Sequence, residues 1–292
     1  MAIKVLVTAR IPAPALEYLK KHFEVSQDIK SLPTAEGLLI RTETLVTEEF
    51  LKSAPKLRLI VRAGVGLDNV DLKACLNRGV EVRNTPGANS VSAAEHTLGL
   101  ILASARMIPQ ANTKLKSGGW DRDTFTGIEI RGKTLGIIGY GNVGSKVSKL
   151  ALAFGMKVIG NDILPKNEVP MITKSELLKQ SDFVTLHVPL TPETRAMANK
   201  EFFSQMKRGS FFINASRGAV VVEEDLLKAL DSGHLRGKAL DVFNNEPIEK
   251  GNLLLKNEKV ILTPHTAGQT TESQNNMGLE ASKIMKEFLC PE

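Results

Sequence analysis

Cysteine is nearly absent from this 292-residue chain: Cys75 and Cys290 are the only two. They could close one bridge at most, which excludes a disulfide-built scaffold. Aromatic residues are also sparse, with one Trp and two Tyr. Single-strand nucleic-acid binders interleave stacking rings with basic residues, and no stretch here does so. No run of about 18 apolar residues occurs, so no segment is expected to span a membrane as a helix. Low-complexity tracts are missing too, and 42% hydrophobic residues is ordinary for a folded chain, which excludes general disorder. The opening Met-Ala-Ile-Lys-Val-Leu-Val reads as a strand and lacks the features of a secretion signal. The expected location is cytoplasmic.

The formal charge is +6, from 38 Lys and Arg against 32 Asp and Glu. The basic residues are dispersed rather than clustered, which suits a small anionic ligand better than a nucleic acid. Neither a Walker loop nor a G-x-S-x-G elbow is present. The five histidines show no ligand spacing with each other or with the cysteines, so no metal site is expected.

Short apolar runs alternate with amphipathic stretches along almost the whole chain. Ile3–Thr8, Gly37–Arg41, Leu57–Arg62 and Val80–Asn84 read as strands, with helical patterns such as Pro14–His22 and Val70–Asn77 among them. A long helical pattern then runs from Ser90 to about Lys116, with Pro109 expected to break or kink it. Beyond Gly132 the alternation resumes, with strand-like runs at Lys133–Gly139, Met156–Asp162, Asp182–Val188, Ser210–Ala215, Gly237–Val242 and Val260–Thr263. A last amphipathic helix covers about Thr271 to Leu289. Strand–helix alternation demands crossovers, hence parallel sheets. The expectation is an α/β chain of two doubly wound units, the second the larger.

The strongest local signal is Gly139-Tyr140-Gly141-Asn142-Val143-Gly144, a G-x-G-x-x-G between a strand and a helix. The first glycine permits the turn, the second lets backbone approach a pyrophosphate, and the third lets helix and strand pack closely. An acid should follow about 20 residues on, at the end of the next strand. Asp162 does, 18 positions after Gly144. A carboxylate there accepts from ribose hydroxyls and repels a 2′-phosphate, which favours NAD over NADP.

Three further patches follow strand ends: Asn-Ala-Ser-Arg-Gly (214–218), Leu-Asp-Val-Phe-Asn-Asn-Glu-Pro (240–247) and Thr-Pro-His-Thr-Ala-Gly (263–268). Open parallel sheets place ligands at such ends. Each patch offers one group suited to carbonyl chemistry. Arg217 can hold a carboxylate and polarise a carbonyl, His265 can donate a proton near neutrality, and Glu246 can orient the imidazole and stabilise its cation. Each residue alone has an ordinary structural use; matching positions beside a dinucleotide fingerprint join them.

Those patches and the fingerprint combine with Arg-Ala-Gly-Val-Gly-Leu-Asp-Asn-Val-Asp (62–71), Asn-Thr-Pro-Gly-Ala-Asn-Ser-Val-Ser-Ala-Ala-Glu (84–95), Trp-Asp-Arg-Asp-Thr-Phe-Thr-Gly (120–127) and His-Val-Pro-Leu-Thr-Pro-Glu-Thr-Arg (187–195). In these motifs the chain resembles the NAD-dependent D-2-hydroxyacid dehydrogenases over nearly its whole length, most of all their D-3-phosphoglycerate dehydrogenase branch. The resemblance implies a Rossmann NAD-binding domain over 90–269 and a flavodoxin-like substrate domain over 1–89, to which 270–292 returns. It implies His265 as acid/base, Glu246 as its partner and Arg217 as the substrate's anchor. NAD would contact Gly139, Tyr140, Gly141, Asn142, Val143, Gly144, Asp162, His187, Ala215 and Asp241, the last holding the carboxamide. Val65, Gly66 and Asn89 would contact substrate, and Arg41, Arg62 and Arg122 would bind its phosphate.

The segment after Ser90 would be the contact of a homodimer. The implied reaction is oxidation of D-3-phosphoglycerate to 3-phosphohydroxypyruvate, the first step of serine biosynthesis. The alternatives are a reductase of glyoxylate, hydroxypyruvate or another 2-keto acid, and an NAD-sensing interaction protein like the corepressors that share this family. Three departures stand out. Asn142 occupies a position where many relatives carry arginine, His96 replaces an apolar residue, and no regulatory domain is expected beyond Glu292.

Overall fold

The computed structural model describes residues 2–164 and 166–291; Met1, Pro165 and Glu292 lie outside the described residues. Its contacts divide the chain into one unit made of residues 1–89 with 268–292 and a second made of 90–267.

The smaller unit runs β1 (Lys4–Val7), α1 (Ala13–His22), β2 (Glu24–Ser26), β3 (Gly37–Ile40), α2 (Glu48–Lys52), β4 (Leu59–Arg62), α3 (Leu72–Asn77) and β5 (Glu81–Asn84). Its strands form one parallel sheet in the order β2-β1-β3-β4-β5. That is the flavodoxin-like winding, whose ligands sit beyond the carboxyl ends of the strands. Gly-Leu-Leu-Ile and Leu-Ile-Val-Arg are buried along their full length, as strands covered by helices on both faces must be. One sheet face closes over Leu6, Leu38, Ile40 and Ile60. The other closes over Val5, Val7, Leu39, Leu59 and Val61, and this face is completed by Met277, Ala281, Met285 and Leu289 of α10 (Thr271–Leu289). Close approach there needs glycine: a Cβ on Gly278 would meet Ala15 at 3.0 Å, and one on Gly37 would meet Leu289 and Met285 at 2.7 Å.

The larger unit opens with α4 (Ser90–Arg106) and α5 (Ile108–Lys116). The break expected at Pro109 falls two residues earlier, at Met107, which takes a left-handed φ of 54°. Proline is tolerated in a first helical turn, where its missing N–H has no partner to lose, so it starts α5 instead of ending α4. There follow β6 (Thr134–Ile138), α6 (Gly144–Ala153), β7 (Lys157–Asn161), α7 (Lys174–Gln180), β8 (Phe183–Leu186), α8 (Lys200–Gln205), β9 (Phe211–Asn214), α9 (Glu223–Asp231), β10 (Gly237–Leu240) and β11 (Val260–Leu262). The sheet is again parallel, in the order β11-β10-β9-β8-β6-β7. Beyond β7 the next strand position is reduced to a bridge between Gly160 and Met171. The winding reverses between β6 and β8, the switch point at which such sheets take their ligands. Both units are doubly wound parallel α/β folds, as the strand–helix alternation predicts.

Candidate active site

The fingerprint occupies the turn from β6 into α6. Gly139 has a φ of +91°, and a Cβ on it would lie 2.5 Å from the His187 carbonyl oxygen. A Cβ on Gly144 would lie 2.2 Å from the Gly139 carbonyl oxygen. Both glycines are therefore demanded by the fold itself. Gly141 differs, because a Cβ there meets nothing within 4 Å. The space it leaves open is where a pyrophosphate would pass. Val143 caps α6 without any side-chain acceptor, and although the Ser145 N–H donates to the Gly141 carbonyl at 3.0 Å, no side chain blocks the helix N-terminus from an anion.

Asp162 follows β7 and accepts from the Tyr140 N–H at 2.5 Å and the Leu164 N–H at 2.8 Å. The Tyr140 ring is buried in the core, so this residue offers backbone to the turn. Asn142 is exposed, and Lys146 of α6 reaches back to donate to its carbonyl at 3.4 Å. His187, whose carbonyl packs on Gly139, has a ring nitrogen 3.1 Å from the Thr185 hydroxyl. Desolvation pushes its pKa down to about 4, so the ring is neutral at physiological pH. Ala215 is half-buried just beyond β9. The open face at Gly141, the uncapped helix and the placed carboxylate fit an NAD pyrophosphate and ribose.

The three polar groups read from strand ends occupy the carboxyl edge of the same sheet. His265 Nδ1 lies 2.6 Å from Glu246 Oε2. The other carboxylate oxygen, Oε1, accepts from the Phe243 N–H at 3.0 Å, which fixes the carboxylate plane. Burial raises the Glu246 pKa, but bonds from His265 and Phe243 and the Arg217 charge outweigh it, holding the carboxyl below its usual range. An ionised carboxylate on Nδ1 stabilises the imidazolium and leaves Nε2 to exchange a proton. His265 itself takes a left-handed φ of 53°, an uncommon conformation for a non-glycine residue that clusters at functional sites.

Asn214, fully buried at the end of β9, shapes the loop that carries Arg217. Its Oδ1 accepts from the Ser216 N–H and hydroxyl at 3.0 and 2.7 Å, and its Nδ2 donates to the Arg217 carbonyl at 2.9 Å. The next residue must be glycine, since a Cβ on Gly218 would lie 1.9 Å from the Phe243 carbonyl carbon. The Arg217 loop and the Glu246 loop are thereby pressed together. Neither Asn214 nor Gly218 was assigned a role from sequence, although both flank Arg217 in Asn-Ala-Ser-Arg-Gly.

Asp241 is fully buried. Its Oδ1 accepts from the Thr263 hydroxyl at 2.5 Å and the Thr266 N–H at 2.8 Å, and its Oδ2 accepts from the Ala267 N–H at 2.9 Å. His96, the departure on α4, places Nε2 at 3.1 Å from the Thr263 hydroxyl and 3.3 Å from Asp241 Oδ1. Burial raises the Asp241 pKa, yet these donors together keep it lowered. The carboxylate thus fastens the loop carrying His265, a role that sequence reasoning missed.

Of the remaining residues, Arg41 and Arg62 lie in the smaller unit at the carboxyl ends of β3 and β4. Ile40 pairs in register with Arg62. Arg62 donates to the Thr42 hydroxyl at 3.2 Å and packs along Gly64, whose φ is +144°. Exposed Val65 and half-buried Gly66 follow, with the Val65 carbonyl held by Asn84 at 2.5 Å. Arg41 is half-buried and bonds Gln274 of α10. Asn89 lies beside Gly268, with a buried Oδ1 that meets no partner among the described residues. Arg122 belongs to the larger unit, exposed at the start of a short 3-10 turn. Among the described residues no helix is long and apolar enough to cross a membrane.

Residues 98–267 match the family model described as D-isomer specific 2-hydroxyacid dehydrogenase, NAD binding domain. The chain is 42% identical to a D-3-phosphoglycerate dehydrogenase of Methanocaldococcus jannaschii, over 98% of this chain and 57% of that protein. It thus spans little more than half the length of that curated relative. It is also 42% identical to a hydroxypyruvate reductase of Thermotoga maritima, over 94% of this chain and 91% of that protein. Among solved structures, a D-lactate dehydrogenase from Aquifex aeolicus, complexed with NAD and lactic acid, superposes with a TM-score of 0.89 at 31% identity, covering 98% of this chain and 95% of that one. The larger unit is an NAD-binding domain, and the chain belongs to the D-isomer-specific 2-hydroxyacid dehydrogenase family.

Proposed function

We propose that the chain is an NAD-dependent dehydrogenase of D-3-phosphoglycerate, forming 3-phosphohydroxypyruvate. The observation that carries the chemistry is the 2.6 Å bond between His265 Nδ1 and Glu246 Oε2, with the Arg217 charge acting on the same carboxylate. NAD, when bound, supplies the hydride acceptor. His265 takes the hydroxyl proton as the C–H bond breaks, and Glu246 stabilises the resulting imidazolium. Arg217 pairs with the substrate carboxylate and draws charge toward the forming carbonyl oxygen. Gly139, Gly141 and Gly144 with the α6 N-terminus hold the pyrophosphate, and Asp162 takes the ribose hydroxyls. Asn89 and the backbone of Val65 and Gly66 contact the substrate; the unpartnered Asn89 Oδ1 supports that role.

The phosphate preference rests on Arg41 and Arg62 at one sheet edge, with Arg122 as a third cation. A second reading, reduction of hydroxypyruvate, is favoured by the near full-length match to the Thermotoga reductase. Two further readings complete the proposal. The protein is a homodimer through α4, α5 and the segment after them, where Val91, Ile108, Leu115 and Trp120 expose apolar surface. It works in the cytosol, consistent with two unpaired cysteines.

The test follows NADH by absorbance, with NAD and D-3-phosphoglycerate, D-glycerate or D-lactate, and in reverse with phosphohydroxypyruvate, hydroxypyruvate, glyoxylate and pyruvate. Preference for the phosphorylated pair is expected. Preference for an unphosphorylated acid would leave the acid/base assignment standing and remove the phosphate role of the arginines. NADH-dependent capture of a protein partner without turnover on any 2-hydroxy acid would instead make the chain an interaction protein.

A further inference from the structure

Gln274 lies in the first turn of α10, after the Thr270 cap, with its side chain half-buried and both ends bonded. Its Nε2 donates to the Gly268 carbonyl at 2.9 Å, and its Oε1 accepts from Arg41 Nη1. The two bonds fix the amide's sense. A flipped amide would set an NH2 against guanidinium donors and an oxygen against a carbonyl oxygen. Arg41 is held at its other end too, because its backbone carbonyl accepts from Asn69 at 2.8 Å, and Asn69 also binds the Thr44 carbonyl at 2.7 Å. A long, flexible cation is thereby ordered before any ligand arrives, which lowers the entropic cost of binding.

The chemistry of the holder matters as much as its position. A carboxylate beside Arg41 would form a charge-assisted pair and cancel the guanidinium's charge. An amide orders the guanidinium and leaves that charge whole. Arg41 makes no ion pair among the described residues. We infer that Gln274 is a positioning residue for substrate specificity: it aims Arg41, as a full positive charge, at a phosphorylated 2-hydroxy or 2-keto acid. This inference rests on the reading of Arg41 as a phosphate ligand.

The experiment compares KM for phosphohydroxypyruvate and hydroxypyruvate in NADH oxidation by the full chain, for wild type, Gln274→Glu and Gln274→Met. Gln274→Glu keeps an acceptor for Arg41 and adds a negative charge; Gln274→Met keeps the packing and removes the acceptor. The expected KM for the phosphorylated substrate rises about tenfold or more in Gln274→Glu and less in Gln274→Met. The KM for hydroxypyruvate should rise several-fold less in both, with kcat changing less than KM. Thermal melts and NADH fluorescence establish that each variant is folded.

An unchanged KM ratio in Gln274→Glu, or equal rises for both substrates, overturns the inference and leaves the phosphate reading intact. A wild type with no preference for the phosphorylated substrate overturns both. The wild-type ratio, measured before any variant, tells the two failures apart.

Discussion

Asp241 grips the His265 loop by both its main chain and its side chain: its carbonyl accepts the His265 N–H at 2.8 Å, and its carboxylate accepts the N–H groups of Thr266 and Ala267. The imidazole's position is thus set from β10, with His96 and the Thr263 hydroxyl holding the same carboxylate in turn.

Asp241→Asn would turn an NH2 toward one of these donors. The predicted cost is about 1–3 kcal/mol of stability, with lower kcat. Because the folded pKa of Asp241 is depressed, its contribution is complete above the unfolded value of about 3.9 and fades as pH falls below it. Urea titrations at several pH values should show variant and wild type converging in acid.

His265→Ala should reduce turnover about 10²–10⁴-fold, the usual worth of a positioned acid or base. NADH binding, read by fluorescence, should survive, since the fingerprint lies on another loop. Equal loss of binding and turnover would remove the acid/base role. Glu246→Gln should give a smaller loss of turnover, because it keeps an acceptor for Nδ1 and loses the charge.

The fingerprint glycines should separate into two kinds. Gly141→Ala meets no protein atom within 4 Å and should leave the melting temperature unchanged while weakening NADH affinity. Gly144→Ala drives a methyl into the Gly139 carbonyl and should destabilise the fold by about 1–3 kcal/mol even without cofactor. Paired melts and NADH titrations check both. A destabilised Gly141→Ala would contradict the open space described there.

Lys238 sits inside β10, 1% exposed, with no hydrogen-bond partner for Nζ among the described residues. Desolvation pulls its pKa to about 7 against the opposing pull of Asp231 and Glu223. The unfolded chain, with a lysine near 10.4, binds the extra proton between those values, so the stability penalty is full below pH 7 and gone above about pH 10. Lys238→Met is predicted to stabilise the protein by a few kcal/mol at pH 6. The gain should shrink toward pH 10 in chemical denaturation.

Much of this was legible in the chain. Gly139 and Gly144 are legible from spacing because backbone geometry imposes them, and Gly141 and Asp162 fall at fixed steps from that pair. Arg217, Glu246 and His265 were visible because each follows a strand. The three-residue β2 and the five- and six-residue helices α2 and α8 left no periodicity to read. Gly218 and Gln274 act through partners far along the chain: Gly218 packs on Phe243, and Gln274 meets Arg41 across 233 residues. Lys238 reads as one polar residue in a strand, and only packing reveals that it is buried.

The return of α10 to the smaller unit makes that unit's core depend on two stretches of chain separated by the whole of the larger unit. The first 89 residues leave the ribosome carrying a sheet whose second face awaits Met277, Ala281, Met285 and Leu289. Residues 90–267 contain everything their own sheet requires. The larger unit's core is thus made of residues 90–267 alone, whereas the smaller unit's second face is complete only once residues 271–289 dock.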